Sequence, residues 1–88
     1  MVDSDEEVRT ESLLEKSGLY AKSIGLSPRQ TEILALLAEG CNIKSIEERL
    51  VISAHTAKSH IYSIYQKAGV HSRQEIIELI ERVKADQV

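Results

Sequence analysis

Two four-residue strings, Ser27-Pro28-Arg29-Gln30 and Ser72-Arg73-Gln74-Glu75, constrain this chain more than any other feature. Each places a serine three residues ahead of Gln or Glu. At that spacing the hydroxyl accepts from the third backbone N–H while the longer side chain reaches back to the cap N–H, so each string opens a helix. Pro28 adds to the first, because the N–H it lacks has no intrahelical partner at that position. From there "TEILALLAEG" runs to a terminating Gly40. Asn42 is placed to cap "IKSIEERL", Ile43 to Leu50. "VIS" is then a tight connection, and Ser53 caps a further helix that ends at Ala68 before Gly69. The helix opened by Ser72 is expected to reach about Lys84. No segment alternates with period two for long enough to suggest a strand. The chain therefore reads as all-α, with four short helices between residues 26 and 85. Residues 1–25 read as a partly helical leader or linker: Val8, Leu13, Leu14, Tyr20 and Ile24 permit a helix, and Gly18 is expected to interrupt it.

At 88 residues the chain makes one small domain with one modest core. Its only aromatic residues are three Tyr, so that core is aliphatic. It contains no apolar run of about eighteen residues, and its acidic start is unlike a signal peptide, so no membrane contact is expected of this domain. A single cysteine, Cys41, excludes an internal disulfide and fits a reducing cytoplasm. The net charge of −3 is unevenly spread. Residues 1–25 hold six acids against three bases, whereas residues 43–73 hold five bases against two acids. An acidic leader thus precedes a basic middle.

That middle includes Ser53 to Arg73, with all three histidines and two of the three tyrosines. At 100° per residue, Ala57, Ile61, Ile64, Tyr65 and Ala68 fall within about 100° of one another and form an apolar stripe. His55, Lys58, Ser59, Tyr62 and Gln66 fall on the other side, without a carboxylate among them. Such a face accepts negative charge and repels none. A metal centre does not fit: His55 and His60 point about 140° apart, and no paired ligand spacing is present. A glycine-rich phosphate loop and a G-x-S-x-G elbow are also missing, so neither a catalytic role nor a cofactor is expected.

Two short helices joined by a tight turn, the second with a carboxylate-free polar face, follow the helix-turn-helix plan. "LSPRQTEILALLAEG" followed by "IKSIEERLVISAHTAKSHIYSIYQKAGVHSRQE" resembles the DNA-binding domain of LuxR-type bacterial transcription regulators. The resemblance covers about Leu26 to Val83. It rests on "LSPR-x-x-E" with Glu32, the "L-x-I-S" turn, "T-x-K-x-H" at Thr56, Lys58 and His60, and "K-x-GV-x-SR" ending at Arg73. Each marker is weak alone, but all in order at these intervals are specific.

The resemblance implies a 26–85 DNA-binding domain behind a 1–25 leader, with a recognition helix of about residues 54–68 in the major groove. By position, Thr56, Lys58 and Ser59 face the groove, and Tyr62 stands where Lys or Arg is frequent. Ser53, His55 and Gln66 complete that face, His60 and Arg73 lie near the DNA backbone, and Lys44 meets phosphate beside a helix N-terminus. Ile43, Glu47 and Ala57 depart from the family pattern. Glu47 is the most awkward of these, being a carboxylate at a helix–helix contact, and it is expected to reach the rim near Arg49 or Lys44. The fourth helix carries an apolar arc of about 160°, wider than one neighbour needs, formed by Leu79, Val83, Ile76, Ile80 and Ile77. In such domains that helix is where two copies meet, with Leu79 and Val83 at the surplus edge. The implied partners are pseudo-palindromic double-stranded DNA, a second copy and RNA polymerase. The implied location is the cytoplasm, or the nucleoid when bound. Such domains usually follow a receiver, ligand-binding or membrane-embedded sensor, so the parent protein is allowed a membrane anchor. Two competing readings are a sigma-factor-like promoter-reading domain and an interaction module without DNA binding.

Overall fold

The computed structural model describes residues 4–83 of the chain, with side chains from residue 13 onward. Five helices follow one another: α1 Ser4–Ser23, α2 Pro28–Ala38, α3 Ile43–Leu50, α4 Ala54–Ala68 and α5 Arg73–Glu81. The starts of α2 to α5 are fixed by the expected caps. Ser27 and Gln30 close a full capping box, with Gln30 N donating to Ser27 Oγ at 3.2 Å and Ser27 N donating to Gln30 Oε1 at 3.0 Å. Ser45 N donates to Asn42 Oδ1 (2.8 Å) and Thr56 N to Ser53 Oγ (3.1 Å). At α5 only half of the box forms. Glu75 N reaches Ser72 Oγ at 3.2 Å, but the Glu75 carboxylate accepts from that same hydroxyl at 3.4 Å rather than from the cap amide. Gly40 and Gly69 take left-handed φ values of 94° and 73°, which end α2 and α4 without Cβ strain.

Two sequence expectations are revised. Gly18 does not interrupt the leader; α1 runs through it as one helix. Ser17 and Ala21, one turn apart, are 1% and 0% exposed, and α1 packs on both α2 and α5. Burial on two neighbours outweighs the penalty of about 1 kcal/mol for a helical glycine. The second revision is at the far end, where α5 stops at Glu81 with Arg82 as its cap, short of the expected Lys84, which lies outside the described residues.

The core is aliphatic as expected. Ile33, Leu34 and Leu37 of α2, Ile46 of α3, Ile64 of α4 and Ile76 and Ile80 of α5 are at most 1% exposed. α2 and α3 each pack on α4, and α4 turns Ala57 and Ile64 inward. Ala57, fully buried, lets α3 approach α4 closely. Glu47 is half-buried on α3. The ion pair recorded for Arg49 is with Glu39 at the α2 cap (3.5 Å) rather than with Glu47, so Arg49 ties α3 to α2.

Candidate nucleic-acid interface

The α3–α4 turn sets how the polar face of α4 is presented. Val51 caps α3 in the left-handed region (φ 54°, ψ 54°), and its N–H and that of Ile52 both donate to the Glu47 carbonyl. Ser53 then starts α4 in extended backbone, with its hydroxyl donating to Thr56 Oγ1 at 3.0 Å. That bond orients Thr56, whose own O–H stays free to donate.

α4 lies with its apolar stripe down. Ala57 and Ile64 are buried, while Ile61, Tyr65 and Ala68 are partly so. The opposite face is open: His55, Lys58, Ser59, Tyr62 and Gln66 are all exposed, with Thr56 and His60 half-buried at its edges. Tyr62 is 64% exposed, and its hydroxyl accepts from Gln66 Nε2 at 2.9 Å. No residue from Ala54 to Ala68 is acidic. The first turns of α3 and α4 also lack an acidic residue, so the positive ends of both helices are uncompensated by the chain. Lys44, exposed in the first turn of α3, adds a cation where the dipole alone disfavours one. An external anion at that helix end offsets both.

Two basic residues of this region already have partners within the chain. Arg73 donates to the Cys41 carbonyl and joins the start of α5 to the α2–α3 connection. Burial raises the Tyr65 phenol above its ordinary range, and the Arg73 charge pulls it partly back. Lys67, which sequence reasoning counted only as charge, donates to the Gly25 carbonyl (3.1 Å) and to Gln30 Oε1 (3.2 Å). The helical wheel already held that signal, since Lys67 points about 280° round from Ala57, away from the polar face. Beyond Tyr62 and Gln66 the surface dips into an open cleft of about 710 Å³ floored by Tyr65, Gly69 and Val70, with His71 at its wall.

On α5, Ile76 and Ile80 are buried, while Ile77, Leu79 and Val83 are half-buried. α1 takes up part of the surplus arc, and Lys16 Nζ of α1 meets the Glu81 carbonyl at 3.4 Å. Leu79 faces a shallow groove beside Glu75, Glu78 and Arg82. Among the described residues no helix is long and apolar enough to cross a membrane.

The family model described as bacterial regulatory proteins, luxR family, matches residues 25–80, the span from within the α1–α2 connection into α5. The fimbriae Z protein of Salmonella typhimurium is 38% identical over 63 residues, which are 72% of this chain and 29% of that protein. The HTH-type transcriptional regulator MalT of Yersinia pestis is 36% identical over 58 residues, 66% of this chain and 6% of that protein. The same regulator of Yersinia pseudotuberculosis matches equally. The chain thus spans less than a third of these curated relatives. No solved structure matches it.

Proposed function

The chain belongs to the luxR family of bacterial regulatory proteins, a DNA-binding regulator family and not an enzyme family, and on that premise we propose that α4 enters the major groove of a specific double-stranded site. The supporting observation is the polar face of α4: five exposed hydrogen-bonding or cationic side chains, no carboxylate anywhere on the helix, and a buried stripe that holds it in place. In this reading Thr56, Lys58 and Ser59 meet base edges, because they lie in the first half of the helix, the part that penetrates deepest, and Tyr62 reaches a base edge one turn beyond Ser59 on the same face. Ser53, His55, His60 and Gln66 flank them towards the sugar-phosphate strands. Lys44 serves phosphate at the α3 N-terminus. Arg73 has guanidinium N–H groups left for phosphate after serving Cys41, and its loss would also disturb the α2–α3 connection.

Residues 26–85 form the DNA-binding unit in this proposal, with the leader helix as its brace; residues 84 and 85 lie outside the described residues. A second copy meets the first through Leu79 and Val83 of α5, so that two domains occupy a pseudo-palindrome. RNA polymerase is a further partner, and the working place is the cytoplasm or nucleoid, behind whatever sensor the parent protein carries.

Gel-shift titration at two salt concentrations tests this. Lys58→Ala is expected to weaken the cognate site by about 1–3 kcal/mol, and Lys44→Ala to weaken all sequences alike while lowering the salt slope by about one. Unchanged affinity for Lys58→Ala at both salts would mean that another surface meets DNA. Absence of any salt-dependent binding would instead favour an interaction module.

A further inference from the structure

The hydrogen bond between Tyr62 and Gln66 has a chemical consequence for base choice. A phenol has one O–H to give and an oxygen that accepts. Gln66 Nε2 donates into that oxygen at 2.9 Å, so what Tyr62 presents outward is its O–H as a donor and its ring edge as an apolar surface. The hydroxyl sits at the end of a side chain that is 64% exposed, on a helix with no carboxylate to capture the donor. At this place on the face the chain therefore holds a neutral donor beside an apolar ring.

Among the major-groove edges, thymine alone sets a single acceptor, O4, next to a methyl group. Guanine offers acceptors without a methyl. Adenine sets an amino donor beside N7, and cytosine presents an amino donor that the occupied phenol oxygen cannot satisfy. Resting on the DNA-binding reading above, we infer that the hydrogen-bonded Tyr62–Gln66 pair is a specificity device that selects thymine at one position of each half-site. Gln66 acts through Tyr62 as a positioning residue: it fixes which way the phenol proton points and has no base of its own.

The test is a selection of duplexes from a randomised pool by the full 88-residue chain, run beside Tyr62→Phe and Gln66→Ala. Both side chains are exposed, so the variants are expected to keep their helices, which circular dichroism checks. The expected result is one position per half-site enriched in T over C by about fivefold or more. Tyr62→Phe is expected to reduce that bias, and Gln66→Ala to admit C and A, because the freed phenol oxygen then accepts from an amino group. On the selected site, uracil removes only the methyl, and 5-methylcytosine keeps the methyl while turning the acceptor into a donor. Both are expected to weaken the unaltered chain, whereas the Tyr62→Phe variant responds to uracil and is nearly indifferent to 5-methylcytosine. The same base preference in all three proteins, or enrichment of A or C at the position Tyr62 controls, overturns the inference and leaves DNA binding standing. Failure of the unaltered chain to bind any duplex at low salt overturns the DNA-binding reading itself, and the inference with it.

Discussion

Val51 adopts a backbone conformation that its own side chain disfavours. Its φ of 54° lies in the left-handed region, where a β-branched residue is strained, and at 88% exposure its side chain gains little from burial. The left-handed region costs a residue with a Cβ roughly 1–2 kcal/mol, and glycine adds about 0.5–1 kcal/mol of unfolded-state entropy in return. Val51→Gly is therefore expected to stabilise the domain by about 0.5–1 kcal/mol, read as a higher denaturation midpoint at unchanged slope; a loss of stability would show that the valine side chain holds the turn. A second residue-scale effect concerns pH. Burial raises the phenols of Tyr20 and Tyr65, with Arg73 opposing it at Tyr65, so the folded chain keeps those protons when the unfolded chain has released them. That contribution to stability is intact below the unfolded tyrosine value of about 10 and is lost as pH rises through the higher folded values. Stability should fall on the alkaline side of pH 10, and Tyr20→Phe and Tyr65→Phe should each flatten the fall. An identical decline in both variants would place its cause elsewhere.

At the scale of elements, what was legible in the sequence is what is decided locally. Ser27, Asn42, Ser53 and Ser72 cap helices because the hydroxyl or amide and the N–H it satisfies lie three residues apart, so α2, α3 and α4 could be bounded before any packing was known. The outward face of α4 was legible for the same reason, since one wheel fixes both its buried and its open side. The second half of α1 was not. Its helix survives Gly18 because Ser17 and Ala21 find neighbours on α2 and α5, and no pattern within residues 1–25 announces those partners. Nor could spacing show that Arg73 would spend an N–H on Cys41; for Lys67 the wheel gave the direction away from the polar face, but not Gly25 and Gln30 as its partners. Lys67→Met separates the two kinds of lysine on this molecule. It should cost about 0.5–1.5 kcal/mol of stability through the lost bonds to Gly25 and Gln30, and leave the salt dependence of DNA binding as it was. A reduced salt slope would show that Lys67 reaches phosphate after all.

For the whole molecule, α5 divides its apolar residues between α1 and solvent, and the half-buried Leu79 lies on the solvent side beside Glu75, Glu78 and Arg82. A contact through one short helix is well below the roughly 1,600 Å² of a standard interface, so the domain is expected to be monomeric at micromolar concentration and to pair on DNA, where the first copy raises the local concentration of the second. Leu79→Glu should keep the fold and single half-site binding while removing cooperativity on two half-sites about one helical turn apart. Sedimentation and titrations on one and two half-sites decide it, and undiminished cooperativity would put the pairing surface elsewhere. The distribution of the tyrosines has an optical consequence as well. With no tryptophan in the chain, all near-ultraviolet emission comes from three phenols, two packed against the core and one, Tyr62, standing in solvent on the face proposed for DNA. Unfolding changes the surroundings of Tyr20 and Tyr65, whereas a duplex laid on α4 changes those of Tyr62. The molecule thus carries separate intrinsic reporters of folding and of occupancy, and needs no attached dye to tell them apart.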